Sequence, residues 1–138
     1  MPRVYSASNA DAAELAQRLP AKTLVIGLCA QWCGTCRDFR PLFEQLAAAR
    51  PQALFVWLDI EDDSVLAGDI DIDDFPTIAV FRGTVPVHFG VSLPHEGIVG
   101  RLLAALENGT ARAVEVPKAV ALLPQLIAQH ALAALPTG

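Results

Sequence analysis

Leu24-Val25-Ile26-Gly27-Leu28-Cys29 leads through Ala30-Gln31-Trp32 into Cys33-Gly34-Thr35-Cys36-Arg37, so an apolar run delivers the chain to two cysteines at C-x-x-C spacing. The run reads as a buried strand. Beyond the cysteines, Phe39, Leu42, Phe43, Leu46 and Ala47 recur at helical spacing and predict a helix. Cys33 then falls at a helix start, where unpaired backbone N–H groups and the positive end of the helix dipole favour a thiolate. Its pKa is lowered there, and it becomes a nucleophile near neutral pH. Cys36, one turn later, faces the same way and can close a disulfide.

Two cysteines this close also fit a purely structural disulfide or half of a zinc site. Structural zinc needs a second Cys/His pair, and the remaining candidates, Cys29, His88, His95 and His130, have no paired spacing. Cys29, Cys33 and Cys36 together spell C-x3-C-x2-C, a spacing that holds iron–sulfur clusters in radical enzymes. Cys29 lies in the expected strand, however, and 138 residues cannot build the barrel of such enzymes, which takes roughly 200 residues or more. Asp69-x-Asp71-x-Asp73 has the opening of a calcium loop but lacks its glycine and closing glutamate, with Asp74 and Val80 in those places. No metal ligand set is therefore assigned. Cys29 is read as an inert buried thiol in preference to a third redox player, since free cysteines rank among the most buried residues.

Working outward, Ser8 or Asn9 can cap a first helix containing Ala12, Leu15, Ala16 and Leu19, which Pro20 ends. After Pro51, Ala53-Leu54-Phe55-Val56-Trp57-Leu58 suits a strand buried on both faces. The intervening helix makes it parallel to the strand before. A short helix near Asp62–Ala67 precedes a loop at Pro76; Thr77–Phe81 and Val85–Phe89 form a hairpin turning at Gly83 and Thr84. Glu96–Glu107 is a helix with an apolar face of Ile98, Val99, Leu102, Leu103 and Leu106, ended at Asn108-Gly109.

These features together resemble the thioredoxin family. Trp32-Cys33-Gly34-Thr35-Cys36 is similar to that family's W-C-G-x-C motif, and Pro41 stands where the family's active-site helix carries its kinking proline. Phe75-Pro76-Thr77 and the strand after it match the family's cis-proline segment, with Gly83 and Gly90 completing the hairpin. An ordered set from about Val4 to Asn108 is far more specific than a lone C-x-x-C. The resemblance implies an α/β chain with a thioredoxin-like fold, a central mixed β-sheet flanked by helices. It divides the chain into a thioredoxin-like domain at 1–109 and a C-terminal helical extension at 110–138.

The same resemblance implies a protein disulfide oxidoreductase with Cys33 and Cys36 as the catalytic dithiol. Cys33 would attack a partner disulfide, and Cys36 would then displace the partner from Cys33. Trp32, Gly34, Thr35, Phe75 and Pro76 would line the substrate-binding groove. No cofactor is implied. The partners are protein disulfide substrates and a reductase or other thiol donor. The competing reading is a binding or chaperone-type module on the same scaffold, its dithiol secondary.

Departures from the family pattern bear on chemistry. Gly27 stands where the family commonly buries a proton-relaying aspartate, and Trp57 where a lysine often pairs with it. With both gone, no charge is left buried unpaired. The resemblance then implies slow resolution of mixed disulfides. Asp73-Asp74 precede Phe75-Pro76, so two carboxylates would flank the groove and favour basic partner segments. Thr35 replaces the frequent proline between the cysteines.

A hydrophobic share of 53% with 18% charged residues argues for a folded globule of one compact unit. A net charge of −5 excludes phosphate-backbone binding, which needs clustered Lys and Arg. The opening residues lack a secretory apolar run, and no stretch reaches the roughly 18 apolar residues of a membrane span. A cytoplasmic protein is expected, with no membrane partner. Past Thr110, Pro124 suits a helix's first turn, and Leu122, Leu123, Leu126 and Ile127 give that helix an apolar face. That face is expected to pack on the domain, leaving a monomer, or to form a weak homodimer through the tail.

Overall fold

The computed structural model describes residues 4–6, 12–18, 22–30, 34–60, 66, 70, 76–91, 96–107 and 112–133. In chain order the elements are β1 (Val4–Ser6), α1 (Ala12–Arg18), β2 (Thr23–Cys29), α2 (Gly34–Ala49), β3 (Leu54–Asp59), β4 (Thr77–Arg82), β5 (Val85–Val91), α3 (Glu96–Glu107), α4 (Lys118–Ala121) and α5 (Leu123–Ala133). The strands form one sheet in the order β1-β3-β2-β4-β5. Pairs β1·β3 and β2·β3 are parallel, whereas β2·β4 and β4·β5 are antiparallel, so the sheet is mixed.

β2 and β3 are continuous apolar runs because both of their faces are covered. Period-two alternation distributes their side chains between two cores. Leu24, Ile26 and Leu28 join Leu54, Val56 and Leu58 on one face, while Val25, Phe55, Ile78 and Val80 lie in the other. The second face is closed by α2 and α3 through Phe39, Phe43, Leu46, Val99 and Leu103. On α2 the buried positions Cys36, Phe39, Phe43, Leu46 and Ala47 recur at helical spacing, and Pro41, in the helix interior, is exposed. There Pro41 costs a backbone hydrogen bond without disturbing the buried face.

The first face is covered by α1 and by the C-terminal helices. Val120, Leu123, Ile127 and Ala131 belong to the same buried cluster as Tyr5, Leu15, Leu24 and Ile26. The apolar face of the tail is thus part of the core, with one adjustment. Leu122 and Leu132 stand outside it at 36% and 61% exposure, and Val120 and Ala131 take the inward positions. A further tie comes from Val114, whose N–H donates to the Pro86 carbonyl at 2.9 Å. Pro86 occupies edge strand β5, where a missing ladder donor is tolerated.

Gly83 turns the β4–β5 hairpin at φ +62°, a left-handed conformation that glycine takes without strain. Its N–H donates to the Lys22 carbonyl at 2.9 Å. β1 is a strand that periodicity could not announce, since three residues carry no pattern. Of the helix expected near Asp62–Ala67, only Leu66 lies among the described residues. Among those residues no helix is long and apolar enough to cross a membrane.

Ile127→Ala is expected to cost about 2–5 kcal/mol by removing a buried side chain shared with the sheet core. Leu132→Ala should stay within about 0.5 kcal/mol. Urea denaturation of the two variants measures the contrast, and equal effects would detach the tail from the core.

Candidate active site

β2 ends at Cys29 and α2 begins at Gly34, so the C-x-x-C segment spans the junction between the central strand and the helix packed over it. Cys36, in the first turn of α2, is 1% exposed and lies on the same face as Phe39 and Phe43. Cys29 is fully buried. The pleat that sends Leu24, Ile26 and Leu28 to the opposite core turns Val25, Gly27 and Cys29 toward α2.

The two sulfurs meet there. Cys29 and Cys36 form a disulfide, with their Cα atoms 5.7 Å apart, well inside the range such bonds require. This corrects the reading of Cys29 as an inert thiol: its burial is as expected, but it is covalently engaged with the cysteine assigned to Cys33. Signals for the pairing were present in the alternation along β2 and in the C-x3-C-x2-C array. The thioredoxin pattern drew attention to the other pair.

Around the bond the backbone is well satisfied. The Ala30 N–H donates to Cys36 Sγ at 3.4 Å, and the Ile60 N–H donates to the Cys29 carbonyl at 2.9 Å.

Register places Thr77 opposite Leu28, so buried Pro76 arrives at the same end of the sheet as Cys29. Gly34 and Thr35 are exposed on the first turn of α2. The structure therefore gathers Gly34, Thr35, Cys36 and Pro76 around one end of β2. Trp32, Cys33, Phe75, Asp69, Asp71, Asp73 and Asp74 lie outside the described residues. His88 is remote, on β5 opposite Val80. Its pKa is lowered by burial, and it has no part in the thiol site. Among the described residues no group of three or more His, Cys, Asp or Glu side chains is arranged to hold a metal ion.

The missing proton relay has a packing explanation. Gly27 pairs in register with Trp57, and a Cβ at Gly27 would come within 3.2 Å of Phe43 Cζ and 3.3 Å of Trp57 Cε3. Aromatic rings occupy the volume an aspartate would need. The Phe43 and Trp57 ring centroids are 5.6 Å apart in an edge contact, Phe43 meets Phe55 at 5.2 Å, and the Arg40 guanidinium lies 5.0 Å from the Trp57 centroid. Arg40 is held in turn by Glu44, with Nε 2.9 Å from Oε1. Close-packed rings capped by a cation thus fill the surroundings of Gly27.

The thioredoxin family model matches residues 6–99. The chain belongs to the thioredoxin family. A thioredoxin of Ophiophagus hannah is 28% identical over 68 residues, covering 49% of this chain and 65% of that protein. The chain thus spans less than two thirds of that relative's length. A poplar thioredoxin h mutant superposes with a TM-score of 0.63 at 18% identity, covering 86% of this chain and 89% of the other. A crystal structure of ferredoxin:thioredoxin reductase with thioredoxin f2 contains a chain similar at TM-score 0.58 and 23% identity, covering 76% of this chain and 93% of that one. At these identities the two structures establish a shared thioredoxin fold and the C-terminal helices stand as an addition to the matched family segment.

Gly27→Asp is expected to destabilise the protein by at least about 2 kcal/mol, since it forces a carboxylate among Phe43 and Trp57 with no cation inside to pair it. Thermal and urea unfolding test this. A variant as stable as wild type would show that the site still has room for the family's relay.

Proposed function

We propose that this chain is a thiol–disulfide oxidoreductase that reduces or exchanges protein disulfides through Cys33 and Cys36. Family membership and fold support that kind of chemistry. The observation that carries the reading is the position of Cys36, a bond-forming sulfur on the first turn of α2, beside the end of β2 and the segment entering β4 at Pro76.

Burial supports the following order of events. At 1% exposure Cys36 is out of reach of a protein partner's sulfur, so it acts only on the sulfur of Cys33 once that is bonded to the partner. Cys33, the residue before the first helical position, is the attacking thiolate, favoured by the free N–H groups and dipole of α2. Its attack on a partner disulfide forms a mixed disulfide and expels one partner thiolate. Reduced Cys36 then attacks the Cys33 sulfur, forming Cys33–Cys36 and releasing the second partner thiolate. Trp32, Gly34, Thr35, Phe75 and Pro76 form the groove that receives an extended partner segment.

Residues 1–109 act as the catalytic domain and 110–138 as an extension, its packing on the domain supported by the tail residues in the sheet core. With that face turned inward, the chain works as a monomer. Electrons come from a reductase or another thiol donor in the cytoplasm, the former supported by the reductase complex of a structurally similar thioredoxin.

Insulin disulfide reduction driven by dithiothreitol tests the proposal. Wild type is expected to accelerate precipitation of the insulin B chain, and Cys33→Ser to fall to the uncatalysed rate. Equal rates for the two would favour the binding-module reading.

A further inference from the structure

We propose that Cys29 is a third participant in the thiol chemistry, taking Cys36 away from Cys33 so that the oxidised chain rests with Cys29–Cys36 bonded and Cys33 free. This deepens the function proposed above and rests on it for the role of Cys33. The pairing itself stands on geometry.

The chain has three cysteines. A bond between two of them leaves the third as a thiol, and the bonded pair here is Cys29 and Cys36. Both are essentially sealed from solvent, at 0% and 1% exposure. A bulky external thiol or disulfide has no access to either sulfur in the folded chain. The route that remains is internal, through the one cysteine next to α2 that the bond leaves out.

The exchange balances without a further reagent. A protein disulfide supplies the oxidising equivalent when it is reduced by Cys33 and Cys36, which leaves Cys33–Cys36 bonded. The Cys29 thiol then loses its proton to water, and its thiolate attacks Cys36 Sγ. The Cys29–Cys36 bond forms, the Cys33–Cys36 bond breaks, and Cys33 departs as a thiolate. One disulfide is consumed and one is made.

Several features favour this product. β2 and α2 already hold the two Cα atoms 5.7 Å apart, so the exchange needs no rearrangement of either element. The new bond lies between two packed secondary-structure elements. The leaving thiolate belongs to the residue that precedes Gly34, the first residue of α2, in sequence, and a thiolate stabilised by a helix start is the better leaving group.

Once Cys36 is bonded to Cys29, Cys33 can still attack a disulfide, but Cys36 can no longer resolve the product. The oxidised chain then holds its partner as a mixed disulfide until an external thiol attacks the Cys33–partner bond and releases the partner. Cys29 thereby converts a two-cysteine reductase into one whose oxidised form captures partners through a single thiol.

Sequential alkylation reads the pairing directly. The full chain is oxidised with oxidised glutathione or, separately, by one turnover with insulin. It is then quenched in acidic denaturant, and free thiols are blocked with N-ethylmaleimide. After reduction the remaining cysteines are labelled with iodoacetamide. Trypsin releases residues 23–37 as one peptide bearing all three cysteines, and fragmentation assigns each label.

Cys33 is expected to carry maleimide or, where it has captured the oxidant, a glutathione or insulin-chain adduct seen by mass before reduction, with acetamide at Cys29 and Cys36. In Cys29→Ser the maleimide at Cys33 is expected to be lost on oxidation, because Cys33 and Cys36 can only pair with each other. Maleimide at Cys29 in the oxidised wild type would overturn the inference, while insulin reduction dependent on Cys33 would leave the proposed function standing. Conversely, the glutathione arm reports the pairing in wild-type chain even if insulin is not a substrate. A failed insulin assay with maleimide at Cys33 would sink the proposed reductase activity and leave the Cys29–Cys36 assignment intact.

Discussion

The junction between the end of β2 and the first turn of α2 is the constraint on which the site depends. β2 is the middle strand of the sheet, fixed by parallel pairing to β3 and antiparallel pairing to β4. Its last residue therefore cannot shift without disturbing both neighbours. α2 is clamped over one face by Phe39, Phe43 and Leu46. Two rigid elements present Cys29 and Cys36 to one another, and the bond between them is a consequence of the fold as much as a support for it.

That placement sets this chain apart from the thioredoxin pattern its sequence resembles. The family commonly sets a buried carboxylate behind the resolving cysteine, whereas here the corresponding position is Gly27 and the space is filled by Phe43 and Trp57. Two residues along the same face of β2 comes Cys29. The strand that ordinarily carries a proton acceptor toward the dithiol instead carries a third sulfur.

Much of this was legible in the sequence, for identifiable reasons. Long apolar runs made β2 and β3 recognisable, the 3.6-residue repeat made α2 and α3 recognisable, and Gly83 marked the hairpin turn. The inward face of the tail was nearly legible: Leu123 and Ile127 were found, while Leu122 was assigned inward because a short sequence window cannot fix where α4 ends and α5 begins. β1 was too short to carry a pattern. The role of Cys29 was missed for a different reason. A buried cysteine reads as a small hydrophobe until the strand's pleat is combined with the helix that crosses above it, and that combination is tertiary.

The most direct test of the central claim is the set of cysteine 13Cβ chemical shifts in the oxidised full-length chain, which separate thiol from disulfide residue by residue without any labelling chemistry. Cys29 and Cys36 are expected at disulfide values and Cys33 at a thiol value. Disulfide values for Cys33 and Cys36 with a thiol value for Cys29 would contradict the account and return the chain to an ordinary C-x-x-C couple.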